Sequence, residues 1–139
     1  MANYKIMHFS IILPIAYMLL LFFLCSLPDT NTSQNTLTNI PSMLQNLLHL
    51  PAFGGLAILW LFSLRYFALS SRASQQIAVI VSISYGGLLE LVQIWVPGRF
   101  ASLGDFLFNC LGVLLFMTFY LKIIPYLIPL SGFKKKWAP

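Results

Sequence analysis

Four long apolar runs, separated by shorter polar stretches, dominate the pattern of hydrophobic and polar positions along this chain. They cover about residues 9–27, 47–67, 77–96 and 106–125. A helix needs about 20 apolar residues to cross a bilayer, and each run comes close to that length. Strands are excluded, because an open strand leaves backbone groups unpaired in hydrocarbon and the alternating pattern of a membrane barrel is absent. The pattern therefore predicts an all-α, polytopic membrane protein: one domain over residues 1–139 with four transmembrane helices.

Composition agrees with that reading. Of the 139 residues, 59% are hydrophobic and 8% are charged, whereas a soluble domain carries about a quarter charged residues. Too few charges remain for a water-facing shell, so most of the surface must face lipid. The net charge of +5 comes from sparse basic residues between or beyond the apolar runs. That distribution points to membrane orientation and anionic headgroups, and away from nucleic acid.

The positive-inside rule sets the expected topology. With both termini in the cytoplasm, Lys5, Arg65, Arg72, Lys122, Lys134, Lys135 and Lys136 fall on the cytoplasmic side, and only Arg99 falls outside. The segment 28–45 is rich in Asn, Thr, Ser and Gln, lacks basic residues and suits an external loop. The first run is long for a signal-peptide core and no small-x-small site follows it, so an uncleaved helix in a cytoplasmic (inner) membrane is expected. The segment Phe133–Trp137 reads as an interfacial anchor.

On this topology the remaining polar residues gather on the outer side. They are His49 in the second helix, Glu90 and Gln93 in the third, Arg99 and Ser102 in the short loop, and Asp105 and Asn109 in the fourth. Glu90, Gln93 and Pro97 share one helical face, as do Asp105, Asn109 and Gly112. An ionisable group facing lipid costs several kcal/mol, so these faces should turn inward. Gly54, Gly55, Gly86, Gly87 and Gly112 would permit close helix approach beside them. The simplest arrangement is an outward-open polar pocket bounded by helices two, three and four.

Each residue has a plainer reading beside the functional one. Glu90 and Asn109 serve equally well as interhelical hydrogen-bonding groups, His49 as a tether at the interface, and Arg99 with Asp105 as an ion pair fixing the loop. His49, Glu90 and Asp105 lack the tight spacing of a dedicated metal site, and no cofactor motif is present. Cys25 and Cys110 lie inside apolar runs and read as buried thiols, with a disulfide as the alternative.

The stretch Tyr85–Gln93, containing Glu90-x-x-Gln93, is followed by Pro97-Gly98-Arg99 and then by Asp105-x-x-x-Asn109-x-x-Gly112. Together with His49 near the start of the second helix, this resembles the VanZ-like family. The likeness covers helices two to four. It departs at Gln45 and Asn46, where an acidic–basic pair is usual, and at Leu50 and Phe53, where the family favours aromatics and Tyr. The resemblance implies a bacterial cell-envelope protein associated with teicoplanin resistance, and it supplies no reaction.

Three classes of function fit these residues. A non-catalytic module would bind a membrane lipid or lipid-linked cell-wall precursor, or an envelope protein partner, with a homo-oligomer as a further arrangement. An enzyme acting on such a substrate would use His49 and Glu90 for proton transfer, with Arg99 holding a phosphate or carboxylate. Asp105 would orient Arg99, and Gln93 and Asn109 would donate hydrogen bonds to the substrate. A small transporter is the third class. Glycopeptide resistance would follow indirectly from any of them.

Overall fold

The structure, a computed structural model, describes residues 2–28, 42–67 and 69–123, with side chains described for 9–28, 46–67 and 69–123. Most of the expected external loop, Lys5 as a side chain, and the interfacial anchor at Phe133–Trp137 lie outside the described residues. Every element among the described residues is helical: α1 (Ala2–Cys25), α2 (Ser42–Leu64), α3 (Ser71–Gln93) and α4 (Leu103–Thr118), which runs on into a π-helical turn, Phe119–Ile123. Segments Asn46–Leu64, Ser71–Gln93 and Leu103–Ile123 are long and apolar enough to cross a membrane, and Phe9–Cys25 is a shorter apolar helix.

Helices three and four begin before their apolar runs because each has an N-cap. Ser70 accepts a hydrogen bond from the Ala73 amide, and Ser102 accepts one from the Asp105 amide. A polar first turn costs nothing at the membrane surface, so α3 begins in the polar sequence Ser71–Gln76.

Helix α2 is the hub and packs on α1, α3 and α4, most extensively on α4. Its inward stripe of Phe53, Leu56, Ala57, Leu61 and Leu64 is buried with Leu89 of α3 and Val113 and Met117 of α4. Glycine sets the α2–α4 distance. A Cβ on Gly112 would collide with the backbone of Leu50, and one on Gly54 would enter the Phe116 ring and approach the Gly112 carbonyl. Without side chains at these positions the two backbones touch.

Helix α3 turns a small and polar stripe inward: Ser74, Ala78, Ser82, Gly86 and Glu90, each four residues after the last, are all buried. Small residues at this spacing let helices approach closely. The same stripe carries Glu90 into the bundle. The outward surfaces are apolar, with Ile80, Leu88, Leu107 and Leu114 each more than half exposed. Trp95 and Phe100 are exposed in the segment after α3, and the amphipathic indole of Trp95 suits a membrane interface. These features make the chain a multi-pass membrane protein.

Candidate functional site

The close approach of α2 to α4 has a direct chemical consequence. His49 precedes Leu50, whose backbone meets Gly112, and Asn109 lies one turn before Gly112. The contact therefore brings the two polar side chains together, with His49 Nδ1 2.8 Å from Asn109 Oδ1. The amide oxygen can only accept, so Nδ1 is the donor of this bond, and in the neutral ring Nε2 is then the acceptor. Phe53, one turn further along α2, lies parallel to the imidazole with ring centroids 6.1 Å apart. Asn109 is fully buried. A Cβ on Gly86 would sit 3.1 Å from its Nδ2, so that glycine makes room for the amide.

At the start of α4, Glu90 Oε2 accepts the backbone N–H of Ser102 at 3.0 Å. This bond ties the end of α3 to the start of α4. Ser102 Oγ in turn accepts the Asp105 amide at 3.2 Å. In a complete capping box the acid three residues after the N-cap would reach back to the N-cap amide. Here Glu90 already occupies that amide from the neighbouring helix. Asp105 Oδ1 is buried without a hydrogen-bond partner, and so are Glu90 Oε1 and Asn109 Nδ2. Buried polar atoms of this kind are uncommon and call for a ligand, a water or a proton to share.

Between the helices, α3 ends in three successive i→i−3 bonds, Ile94 to Leu91, Trp95 to Val92 and Val96 to Gln93. A turn follows at Val96–Arg99, closed by the Arg99 N–H on the Val96 carbonyl at 3.1 Å. Pro97 occupies its second position, and Gly98, at φ 78°, the third, where only glycine is comfortable; these are the features of a type II turn. The turn aims Arg99 toward the residues that follow α1, where its Nε donates to the Leu27 carbonyl at 3.3 Å.

The expected site residues thus gather in two hydrogen-bonded groups at one end of the bundle: His49 with Asn109, and Glu90 with Ser102 and Asp105. Gln93 is buried one turn beyond Glu90. Arg99 Nε donates to the Leu27 carbonyl just past α1, and Asp105 Oδ1 is buried with no hydrogen-bond partner. Cys25 and Cys110 are both free thiols. Reading the sequence overlooked Phe53 as a partner of His49, although an aromatic four residues after a histidine shares its face. It also overlooked the segment just after α1, because a backbone carbonyl at Leu27 leaves no trace in residue type.

Beside Glu90 a groove of about 580 Å³ opens on the flank of the bundle. Leu88, Leu91, Leu103 and Phe106 form its walls, and Glu90 and Ser102 line it between them. The groove does not extend to His49, Arg99, Asp105 or Asn109.

The family model described as VanZ/LLP1 matches residues 9–125 of this chain. No curated protein and no solved structure matches it.

Proposed function

The chain belongs to the VanZ/LLP1 family, and from that premise we propose that it binds an amphiphilic envelope molecule, a membrane lipid or a lipid-linked cell-wall precursor, from the outer leaflet of the cytoplasmic membrane. The observation that carries this reading is the groove: apolar walls open to the side of the bundle, with a buried carboxylate and a helix N-terminus between them. An acyl or polyprenyl chain suits the walls. The headgroup would then lie toward Arg99, whose planar fork suits a phosphate or carboxylate. Teicoplanin resistance would follow indirectly, through a change in what the drug's lipid tail or target meets.

Identification of the lipids and precursors that co-purify with the full chain tests this directly. Arg99→Lys is expected to remain folded and inserted but to retain less of the bound molecule and to weaken the envelope phenotype, since charge alone does not replace a bidentate contact. Full retention in both Arg99→Lys and Arg99→Ala would remove Arg99 from the reading.

One observation favours a catalytic version. With Nδ1 bonded to Asn109, the neutral ring of His49 would offer Nε2 to take a proton, as a general base requires. In that version a bound substrate's hydroxyl would be the proton donor, and His49→Ala would abolish turnover while leaving lipid retention intact.

The proposed orientation has both termini in the cytoplasm. In a chain carrying Cys25→Ser and Cys110→Ser, single cysteines at Asn35 and Ala101 should react with an impermeant maleimide added outside. Cysteines at Arg72 and Lys135 should react only after permeabilisation. External labelling of Lys135→Cys would reverse the topology and move the candidate site to the cytoplasmic face.

A further inference from the structure

Helices α3 and α4 touch at one end and part at the other. Gly86 lies against Asn109, Gly87 lies against Phe106, and Glu90 bonds Ser102, all toward the 94–102 loop. At the opposite end, residues 75–80 of α3 and 114–122 of α4 and its π turn line a cleft of about 340 Å³. Its walls include Val79, Ile80, Leu114 and Leu121, and Gln76, Thr118 and Lys122 stand among them.

We propose that this cleft binds an anionic phospholipid, with one acyl chain between α3 and α4 and the phosphate on Lys122. Water cannot fill an apolar cleft in the bilayer, and an acyl chain is what surrounds it. The Leu103–Ile123 span has 21 residues, about 31 Å of helix against about 30 Å of hydrocarbon. Lys122, one residue from its end and exposed, therefore sits at headgroup depth. Arg72 is exposed on the first turn of α3, one turn beyond Gln76 on the same stripe, and adds a second cation beside the mouth. A chain leaving the bilayer for the cleft gains no hydrophobic energy, because both surroundings are apolar. Selection must then come from the headgroup, and two cations with a neutral amide select negative charge. The cleft lies about 20 Å from Glu90 along α3 and is independent of the groove there.

Native mass spectrometry of the full chain in detergent, titrated with phosphatidylglycerol or with phosphatidylcholine of the same acyl chains, tests the proposal. The wild type should retain phosphatidylglycerol in preference. Lys122→Gln should weaken that retention about fivefold, the contribution of one interfacial cation. Val79→Trp, which fills the cleft, should abolish the preference with Lys122 still present, and Leu114→Trp fills the same space from the facing helix should the first variant fail to fold. Leu13→Trp, on the exposed face of α1 and lining neither the cleft nor the groove beside Glu90, should leave it unchanged. Equal retention of the two lipids, loss of the preference in Leu13→Trp but not in Lys122→Gln, or an undiminished preference with the cleft filled would each overturn the site.

Discussion

Gly112→Ala is expected to destabilise the protein more than any other single added methyl group, and Gly112→Leu to prevent correct packing of α4. The reason is what the new atom meets. A Cβ at Gly112 would fall on the carbonyl oxygen, Cα and carbonyl carbon of Leu50, and backbone cannot rotate aside as a side chain can. The helices must move apart, and overpacking of this kind costs about 1–3 kcal/mol for small additions and more for large ones. Separation would also pull Asn109 away from His49, since one contact sets both distances. Gly55→Ala is the matched control, because its Cβ would lie 3.6 Å from the Tyr17 hydroxyl, an ordinary contact. Thermal unfolding in detergent should lower the midpoint of Gly112→Ala by several degrees and leave Gly55→Ala near the wild type. Equal melting of the two would remove the α2–α4 backbone contact as the organising feature of the fold.

The spans, the helical state and the gathering of polar residues at one end were legible because lipid enforces them. Hydrocarbon forbids unpaired backbone and lipid-facing charge, so run length and the i, i+3, i+7 placement of Glu90 and Gln93 carried real constraints. Gly112 and Gly86 were legible as sites of close approach, but not their partners. Only the packed helices show Leu50 against Gly112 and Asn109 against Gly86. The inward stripe of α3 was written plainly in its four-residue spacing from Ser74 to Glu90, and serine hid it, because serine reads as a surface residue unless its period is counted. Arg99 exposes the opposite limit. Charge suggested a carboxylate partner, whereas the type II turn at Pro97–Gly98 directs the side chain to the backbone carbonyl of Leu27, just past α1. Residue type does not encode that acceptor.

The largest functional effect should come from Glu90, and its chemistry separates two roles within one side chain. Oε2 holds the Ser102 amide, while Oε1 is buried without a partner. Glu90→Gln keeps a carbonyl for the Ser102 amide and removes the charge, so it should melt near the wild type. If the carboxylate meets the bound headgroup or exchanges a proton with it, this variant should nevertheless lose lipid retention and phenotype. Glu90→Leu also removes the acceptor. Loss of a hydrogen bond to a charged group costs about 1.5–3 kcal/mol, and the start of α4 should loosen accordingly. Asp105 then becomes decisive. With Glu90 gone, the Ser102 amide is available and Asp105 stands three residues after it, at the position from which a capping-box acid reaches back. Asp105 should therefore rescue part of the loss in Glu90→Leu while contributing little to capping in the wild type. The double variant Glu90→Leu/Asp105→Ala should be less stable than the sum of the single variants by about 0.5–3 kcal/mol, the coupling found between residues that share a partner. Strict additivity in thermal unfolding would mean that Asp105 cannot reach the Ser102 amide. Glu90 would then not be standing in for a capping-box acid, and the unpartnered oxygen of Asp105 would need another cause.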